Sequence, residues 1–191
     1  MGLTSDTNKV KDNISFIDIQ PYEGLSEEIV NYIYTEMCKV HPRVSLLKKQ
    51  VIPTRAFYVP RKRYKADTLI AMLSKSTSEG HVTVGITHYD ISTDNGAIPD
   101  WGVMGLGFQP GKACVASTHR LNKKKDIKQQ YFKVVIHEIG HTQGLPHCPD
   151  VTCIMTDAKG KNTTETEIDF CKKCKSILLK KGFKLNKYFV D

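Results

Sequence analysis

Residues 137–147 read His-Glu-Ile-Gly-His-Thr-Gln-Gly-Leu-Pro-His, and this stretch decides the local fold and the chemistry that the chain can support. On an α-helix, His137 and His141 are four residues apart, so both imidazoles project from one face, one turn apart. Two nitrogens at that separation can bind one Zn²⁺ at about 2.0–2.1 Å. Glu138 lies about 100° around the helix from His137. It is too far round to be a good third ligand, but it can contact a water molecule on the metal.

The end of this stretch predicts a third histidine beside the first two. Gly144 lets the chain leave the helix through a positive-φ conformation, and Pro146 prevents the helix from continuing. The sharp turn returns His147 toward the other histidines. Three neutral imidazoles leave the fourth tetrahedral position for water, which is typical of a catalytic rather than a structural zinc site.

The alternative is a surface helix that merely carries polar histidines. Apolar residues at helical spacing argue against it, because they predict a buried face for this helix. These residues are Phe132, Val135, Ile136 and Ile139.

A set of cysteines and one methionine follows the third histidine: Cys148, Cys153, Met155, Cys171 and Cys174. Cys148 is adjacent to the third histidine, Met155 lies in a Cys-Ile-Met sequence, and the last two cysteines form a Cys-x-x-Cys. In this order the chain resembles the archaemetzincins, a family of metzincin metallopeptidases. The resemblance covers residues 137–174, and the gap between Met155 and Cys171 is slightly shorter than in that family.

The resemblance implies a role for each of these residues. It implies His137, His141 and His147 as ligands of a catalytic zinc, with Glu138 as general base and Met155 beneath the metal in the Met-turn. It implies a second, structural zinc held by Cys148, Cys153, Cys171 and Cys174. The implied cofactor is therefore Zn²⁺, two ions per chain. Some metzincins carry a tyrosine two residues after the Met-turn, but this chain has Asp157 there, so no tyrosine switch is expected.

Six cysteines could instead form three disulfides in a secreted protein. We favour metal ligation, because four of them cluster near the histidine motif and a reducing compartment disfavours disulfides. Cys38 and Cys114 lie in apolar patterns and are predicted to be buried and inert. The N-terminus shows no apolar secretory segment, and no apolar run approaches a membrane span. We therefore expect a cytoplasmic protein that does not contact membranes.

The net charge of +8 comes mainly from lysines, including Lys123–Lys125 and many after residue 171. We interpret them as a solvated basic surface. The alternatives are a preference for acidic peptides or contact with nucleic acid. Lysines without interleaved arginines and aromatics are a weak signal for nucleic acid.

The remaining chain alternates between strand and helix patterns, which predicts an α/β fold with a twisted mixed sheet and backing helices. The predicted strands are residues 14–20, 43–47, 82–87 and 112–117, with shorter extended pieces at 56–59 and 103–108. The predicted helices are residues 25–39, 66–74 and 126–143, and the rest of 92–111 is predicted as loops. Resemblance to metzincins adds that strand 112–117 lies at the sheet edge, where a peptide can pair with it. The alternative is an interior strand.

We expect a single metallopeptidase domain over residues 1–191. Its upper part, 1–144, ends with the active-site helix, and its small C-terminal part, 145–191, contains the Met-turn and the cysteines. The 47 residues of the C-terminal part are too few for a strong core, so we expect a structural zinc ion to stabilise this part of the chain. A zinc there would also position His147 and Met155, because Cys148 and Cys153 are close to them in sequence.

These observations favour a zinc metallopeptidase acting on a peptide or protein substrate. One alternative is a non-catalytic zinc-binding module that contacts nucleic acid or protein, and another is a hydrolase of non-peptide amides. Aminopeptidase and endopeptidase action both remain open. The other histidines lack ligand spacing and are predicted to be surface or satisfied core residues, although His119 and Arg120 follow the predicted edge strand and could lie near substrate. Trp101 is predicted to pack in the core or against a loop.

Overall fold

A five-stranded mixed sheet forms the centre of the fold, as seen in a computed structural model that describes residues 15–185. Its strands are β1 (Phe16–Pro21), β2 (Val44–Leu46), β5 (His81–Thr87), β8 (Gly105–Gly107) and β9 (Ala113–Ser117). The strand order is β2-β1-β5-β9-β8. Neighbouring strands are parallel except at the β8–β9 pair. Residue 14, the start of the first predicted strand, lies outside the described residues.

Helices cover both faces of this sheet. They are α1 (Glu27–Val40), α2 (Ala66–Ser76), α3 (Ile127–Thr142) and α4 (Lys172–Lys180). Helices α1 and α3 pack with the larger apolar core on one face, and α2 packs with a second core on the other. The predicted mixed sheet with backing helices is therefore present. Central strands covered on both faces are expected to be apolar almost throughout, and β1 buries five of its six residues.

Side-chain caps define where two of these helices begin. Ser26 accepts a hydrogen bond from the backbone N–H of Ile29 at the start of α1. Asp126 accepts from the N–H groups of Lys128 and Gln129 at the start of α3. Such caps satisfy N–H groups that have no partner inside the helix, and each is worth about 1 kcal/mol.

A second sheet corrects the prediction of loops over much of residues 92–111. It has four strands in the order β3-β4-β6-β7, namely β3 (Phe57–Tyr58), β4 (Arg63–Lys65), β6 (Ile91–Asn95) and β7 (Ile98–Val103). The β6–β7 hairpin contains Asp, Asn, Gly and Pro, which are depleted in strands, so its sequence resembled a loop. Its pairing with β4 stabilises a strand conformation that local preference alone does not indicate.

The predicted edge position of strand 112–117 is wrong. Strand β9 lies between β5 and β8, and all five of its residues are buried. Its small apolar side chains are typical of an interior strand covered on both faces. The edge is β8, which has only three residues, two of them glycine, and lies within the extended piece predicted at 103–108.

Residues 183–185, the last that the structure describes, pack onto the same core as α1 and α3. Phe183 and Leu185 are buried there, and the N–H of Lys184 donates to the carbonyl of Val40 at 2.7 Å. The division of the domain at residue 144 remains a prediction. Cys114 is buried as predicted, but Cys38 is exposed. The prediction for Cys38 was wrong because the buried stripe of α1 passes through the preceding residue, Met37.

His41, at the end of α1, is a buried titratable group far from the histidine motif in sequence. It is 1% exposed, packs edge-on against Phe183 with ring centroids 4.7 Å apart, and places Nδ1 3.2 Å from the carbonyl oxygen of Arg43. Burial lowers the pKa of His41 to about 4, although the Arg43 carbonyl opposes this shift. The folded protein therefore favours the neutral ring.

We expect His41 to make the fold less stable in mild acid. The unfolded chain binds a proton at this residue below about pH 6.5 and the folded chain only below about pH 4, so the free energy of unfolding falls as the pH drops between these values. Between pH 7 and pH 5 the loss is about 2 kcal/mol. Denaturant unfolding at both pH values, with equal zinc, should show this loss reduced in His41→Leu. An equal loss in both proteins would contradict the prediction.

Candidate metal centre and active-site cleft

The structure brings three histidines of the motif together at the end of α3. His137 and His141 lie on successive turns with their Nε2 atoms 3.0 Å apart. The chain then turns at Gly144, whose φ is +93°, and the N–H of Leu145 donates to the carbonyl of Gly140. This turn returns His147, whose ring centroid lies 4.8 Å from that of His141. One ring nitrogen from each histidine lies within 4.8 Å of those of the others.

Backbone carbonyls orient two of these rings. Nδ1 of His137 lies 2.6 Å from the carbonyl oxygen of Ile154, and Nδ1 of His141 lies 2.8 Å from that of Leu145. A carbonyl only accepts hydrogen bonds, so each Nδ1 is the protonated nitrogen and each Nε2 keeps its lone pair. Burial lowers the pKa of His137 to about 3 and also lowers that of His141. Both rings are therefore neutral, as metal ligands must be.

The donor geometry fits a zinc ion. Tetrahedral bonds of about 2.0–2.1 Å place neighbouring ligand nitrogens roughly 3.3 Å apart, close to the 3.0 Å between the Nε2 atoms of His137 and His141. Among residues 15–185, this candidate ligand group contains the three histidines and does not include Glu138.

Glu138 lies beneath the edge strand β8 and lines the cleft. It is 6% exposed. A Cβ atom on Gly105 would lie 2.5 Å from its Oε1, and one on Gly107 would lie 2.7 Å from its backbone oxygen. Only glycine therefore lets β8 lie this close to the helix. Burial raises the pKa of Glu138 to about 8, and a divalent cation bound nearby would act in the opposite direction.

Met155 is fully buried against α3, and we refer to it as the floor of the site. A Cβ atom on Gly140 of α3 would lie 2.6 Å from its Sδ. The first glycine of the motif thus provides the space that the methionine occupies. Two residues later, Asp157 lines the cleft, and the described lining residues include no tyrosine.

The four C-terminal cysteines form a second candidate metal group, in which the Sγ atoms all lie within 4.8 Å of one another. The Sγ atoms of Cys148 and Cys171 are 3.7 Å apart, whereas a disulfide requires about 2.05 Å. Tetrahedral zinc–sulfur bonds of about 2.3 Å require roughly 3.8 Å between sulfurs. The geometry therefore fits a zinc–thiolate site. The N–H of Cys148 also donates to the carbonyl of Met155 at 2.7 Å, which joins this group to the floor of the histidine site.

A cleft of about 1010 Å³ runs past the three histidines. Its upper wall contains residues 101–107 and its lower wall contains residues 156–164. Arg120, for which the sequence left a position near substrate open, lines the cleft and pairs with Asp90 at 2.9 Å, whereas His119 is not among the lining residues. Trp101 is 36% exposed and packs against a loop, as the sequence suggested.

A buried cation that the sequence did not reveal lies in the wall of the cleft. Lys133 of α3 is only 9% exposed, and its Nζ donates to the carbonyls of Thr164 at 2.7 Å and Glu167 at 2.5 Å. Burial lowers the pKa of Lys133, and the nearby Glu167 carboxylate opposes that shift. The sequence around Lys133 looks the same as that of a lysine on a solvated helix face. Its burial could not be predicted, because its hydrogen-bond partners lie more than 30 residues away in the chain.

Comparison with known proteins identifies the family. Residues 11–181 match Peptidase family M54. The chain belongs to this family. It is therefore a zinc metallopeptidase, a hydrolase of peptide bonds. The resemblance to archaemetzincins inferred from residues 137–174 is confirmed.

Similar proteins support both the family and the fold. The archaemetzincin of Haloquadratum walsbyi is 29% identical over 175 residues, which cover 85% of this chain and 98% of that protein. The crystal structure of archaemetzincin from Methanopyrus kandleri has a TM-score of 0.74 at 24% identity, covering 90% of this chain and 97% of the other. That from Archaeoglobus fulgidus, complexed with malonate, has a TM-score of 0.73 at 25% identity, covering 84% and 98%. These matches confirm the predicted α/β fold class.

Across residues 15–185, no helix is both long and apolar enough to cross a membrane.

We expect Gly140→Ala to push Met155 out of place. The added methyl group would overlap Sδ, and overpacking of this kind costs about 1–3 kcal/mol. Met155→Ala alone should also destabilise the fold, because it leaves a cavity. In the Gly140→Ala background, however, Met155→Ala should lower the free energy of unfolding by less than it does in the wild type. The reason is that removing the methionine side chain also removes the clash with the added methyl group. Denaturant unfolding of all four proteins measures this coupling. Strictly additive costs would show that the two side chains do not meet.

Proposed function

We propose that this metallopeptidase binds one zinc ion through Nε2 of His137 and His141 and a ring nitrogen of His147, with Glu138 as its general base. The proposal is carried by one observation. Three ligand nitrogens converge, two of them held by carbonyls, beside a buried carboxylate that is not part of the ligand group. A structural zinc site needs no such carboxylate, so this arrangement favours a peptidase over a non-catalytic zinc-binding module.

The three imidazoles would hold a zinc ion that, when bound, would supply Lewis-acid chemistry by acidifying a water molecule and polarising a carbonyl. The protein side chains then supply the proton transfers. A carboxylate oxygen of Glu138 takes the proton from the attacking water and later delivers it to the nitrogen of the leaving amine. The position of Glu138 under β8 confines it close to any peptide that lies along this strand.

The edge strand β8 is our candidate for the substrate-binding strand. Among the strands of residues 15–185 it pairs with β9 alone, and it lines the cleft beside Glu138. An extended peptide can add to such an edge through main-chain hydrogen bonds. Gly105 and Gly107 bring this edge down onto α3, so that the scissile bond of an added strand would lie over the histidines.

We expect Glu138→Gln to retain zinc and to lose hydrolysis. The amide has nearly the same shape but cannot accept the proton, so kcat should fall by roughly 10²–10⁴-fold. Zinc content by elemental analysis and turnover of a peptide library by mass spectrometry check this. Glu79→Gln, at an exposed carboxylate outside the cleft, is the matched control and should behave as the wild type. Equal turnover by Glu138→Gln would refute the assignment.

We further propose that Cys148, Cys153, Cys171 and Cys174 hold a second, structural zinc ion, giving two per chain. Such an ion would stabilise the residues after Gly144, proposed as a small C-terminal part of the domain. It would also position the catalytic ligands. Cys148 follows His147 directly and bonds to the Met155 carbonyl, and Cys153 precedes Ile154, whose carbonyl orients His137.

We expect Cys171→Ser to lose one zinc ion and to weaken zinc binding at the histidines as well. The second effect follows from the links between the two groups through Met155 and Ile154. Stepwise chelator titration with elemental analysis separates the two ions. Cys38→Ser, at an exposed cysteine outside the cluster, is the control and should keep both. Loss of one ion with unchanged affinity at the histidine site would contradict the coupling.

A peptide or protein remains the proposed substrate. We retain the interpretation of the lysines as a solvated basic surface rather than a nucleic-acid site, and a cytoplasmic location as an expectation.

A further inference from the structure

The upper wall of the cleft is one extended segment that passes from one sheet to the other. Residues 101–107 all line the cleft. The first three belong to β7, the edge of the four-stranded sheet, and the last three belong to β8, the edge of the five-stranded sheet. A peptide lying along this wall would therefore pass from β8 at the histidines toward Trp101 on β7.

The two walls of the cleft touch at the Trp101 end. A Cβ atom on Gly160 would lie 2.7 Å from Cζ2 of Trp101 and 3.6 Å from two further ring atoms. The indole therefore packs directly on the backbone of Gly160, which adopts a φ of +77°. Trp101 belongs to the upper wall and Gly160 to the lower wall, and both line the cleft. This contact joins the two walls, so a peptide that extends between them in this direction meets it.

Both walls are anchored close to this contact. On the lower wall, the amide of Asn162 donates to Oε1 of Gln130 on α3 at 2.9 Å, and Thr164 accepts from the buried Lys133. On the upper wall, Trp101 pairs with Thr93 of β6, whose hydroxyl donates to Asp67 of α2 at 2.8 Å. Separating the walls would therefore disturb polar contacts to two helices.

We propose that Trp101 packed on Gly160 is a stop that limits how far a peptide extends on one side of the scissile bond. The proposal rests on the proposed function and adds a substrate class to it: chains whose end lies near the bond that is cut. Long chains cut in their interior are disfavoured, because one flank would have to pass the stop. The determinant is a single side chain, so its effect on substrate length can be separated from catalysis.

The test uses two nested series of peptides that share one cleaved bond and are lengthened one residue at a time, toward the N-terminus or toward the C-terminus. For the zinc-loaded full chain we expect kcat/KM to fall by about tenfold or more beyond a set length in one series only. In Trp101→Ala, kcat/KM for the long peptides should equal that for the shortest one. In Trp101→Phe, most of the decrease with length should remain. Phe57→Ala removes an exposed aromatic outside the cleft and should leave the length dependence unchanged.

A second readout does not depend on turnover. Trp101 is the only tryptophan in the chain, so its fluorescence reports on the stop alone. In zinc-loaded Glu138→Gln, peptides long enough to reach the stop should change the emission, and shorter ones should not.

The outcomes separate this inference from the proposed function. Failure of the zinc-loaded wild type to cleave any peptide would contradict the proposed function. Cleavage with no length dependence, or with equal dependence in both series, would overturn the stop. So would long peptides that bind without changing the emission of Trp101.

Discussion

The hydrogen bond from His137 to the carbonyl of Ile154 is the interaction on which the rest of the site depends. It fixes the ring and leaves Nε2 facing the other histidines. Its acceptor lies between Cys153 of the thiol cluster and Met155 of the floor, so one backbone segment contacts both candidate metal groups. Residues after Gly144 thereby position a ligand on the central helix.

Close backbone approach is the second constraint on the site. Gly105 and Gly107 let the edge strand rest on Glu138, and Gly140 makes room for Met155 on the opposite side of the helix. The helix is thus held between an edge strand above and a methionine below. Side chains at Gly105 or Gly107 would push β8 away from α3, and a side chain at Gly140 would push Met155 away from it. The three glycines therefore allow dense packing and also set the height of the cleft.

Polar contacts rather than apolar packing position the lower wall of the cleft. Lys133 carries a charge into the interior, where its ammonium group is satisfied by the carbonyls of Thr164 and Glu167. Loss of such a group leaves buried acceptors without a partner, which is more costly than loss of an exposed contact. The wall therefore has a defined position relative to α3, and its contact with Trp101 follows from that position.

The sequence by itself determined the features that depend on neighbouring residues. The spacing of His137 and His141 and the turn at Gly144 are local, because helix geometry relates residues three to four apart. Only the tertiary structure decided which strand is the edge, where Lys133 finds its partners, and that Trp101 meets Gly160. These contacts join residues that lie tens of positions apart in the chain. The local sequence does not predict them, because the same residue types in the same pattern also occur on solvent-exposed surfaces. The β6–β7 hairpin was missed for the same reason, since its strands are stabilised by pairing with β4 rather than by their own composition.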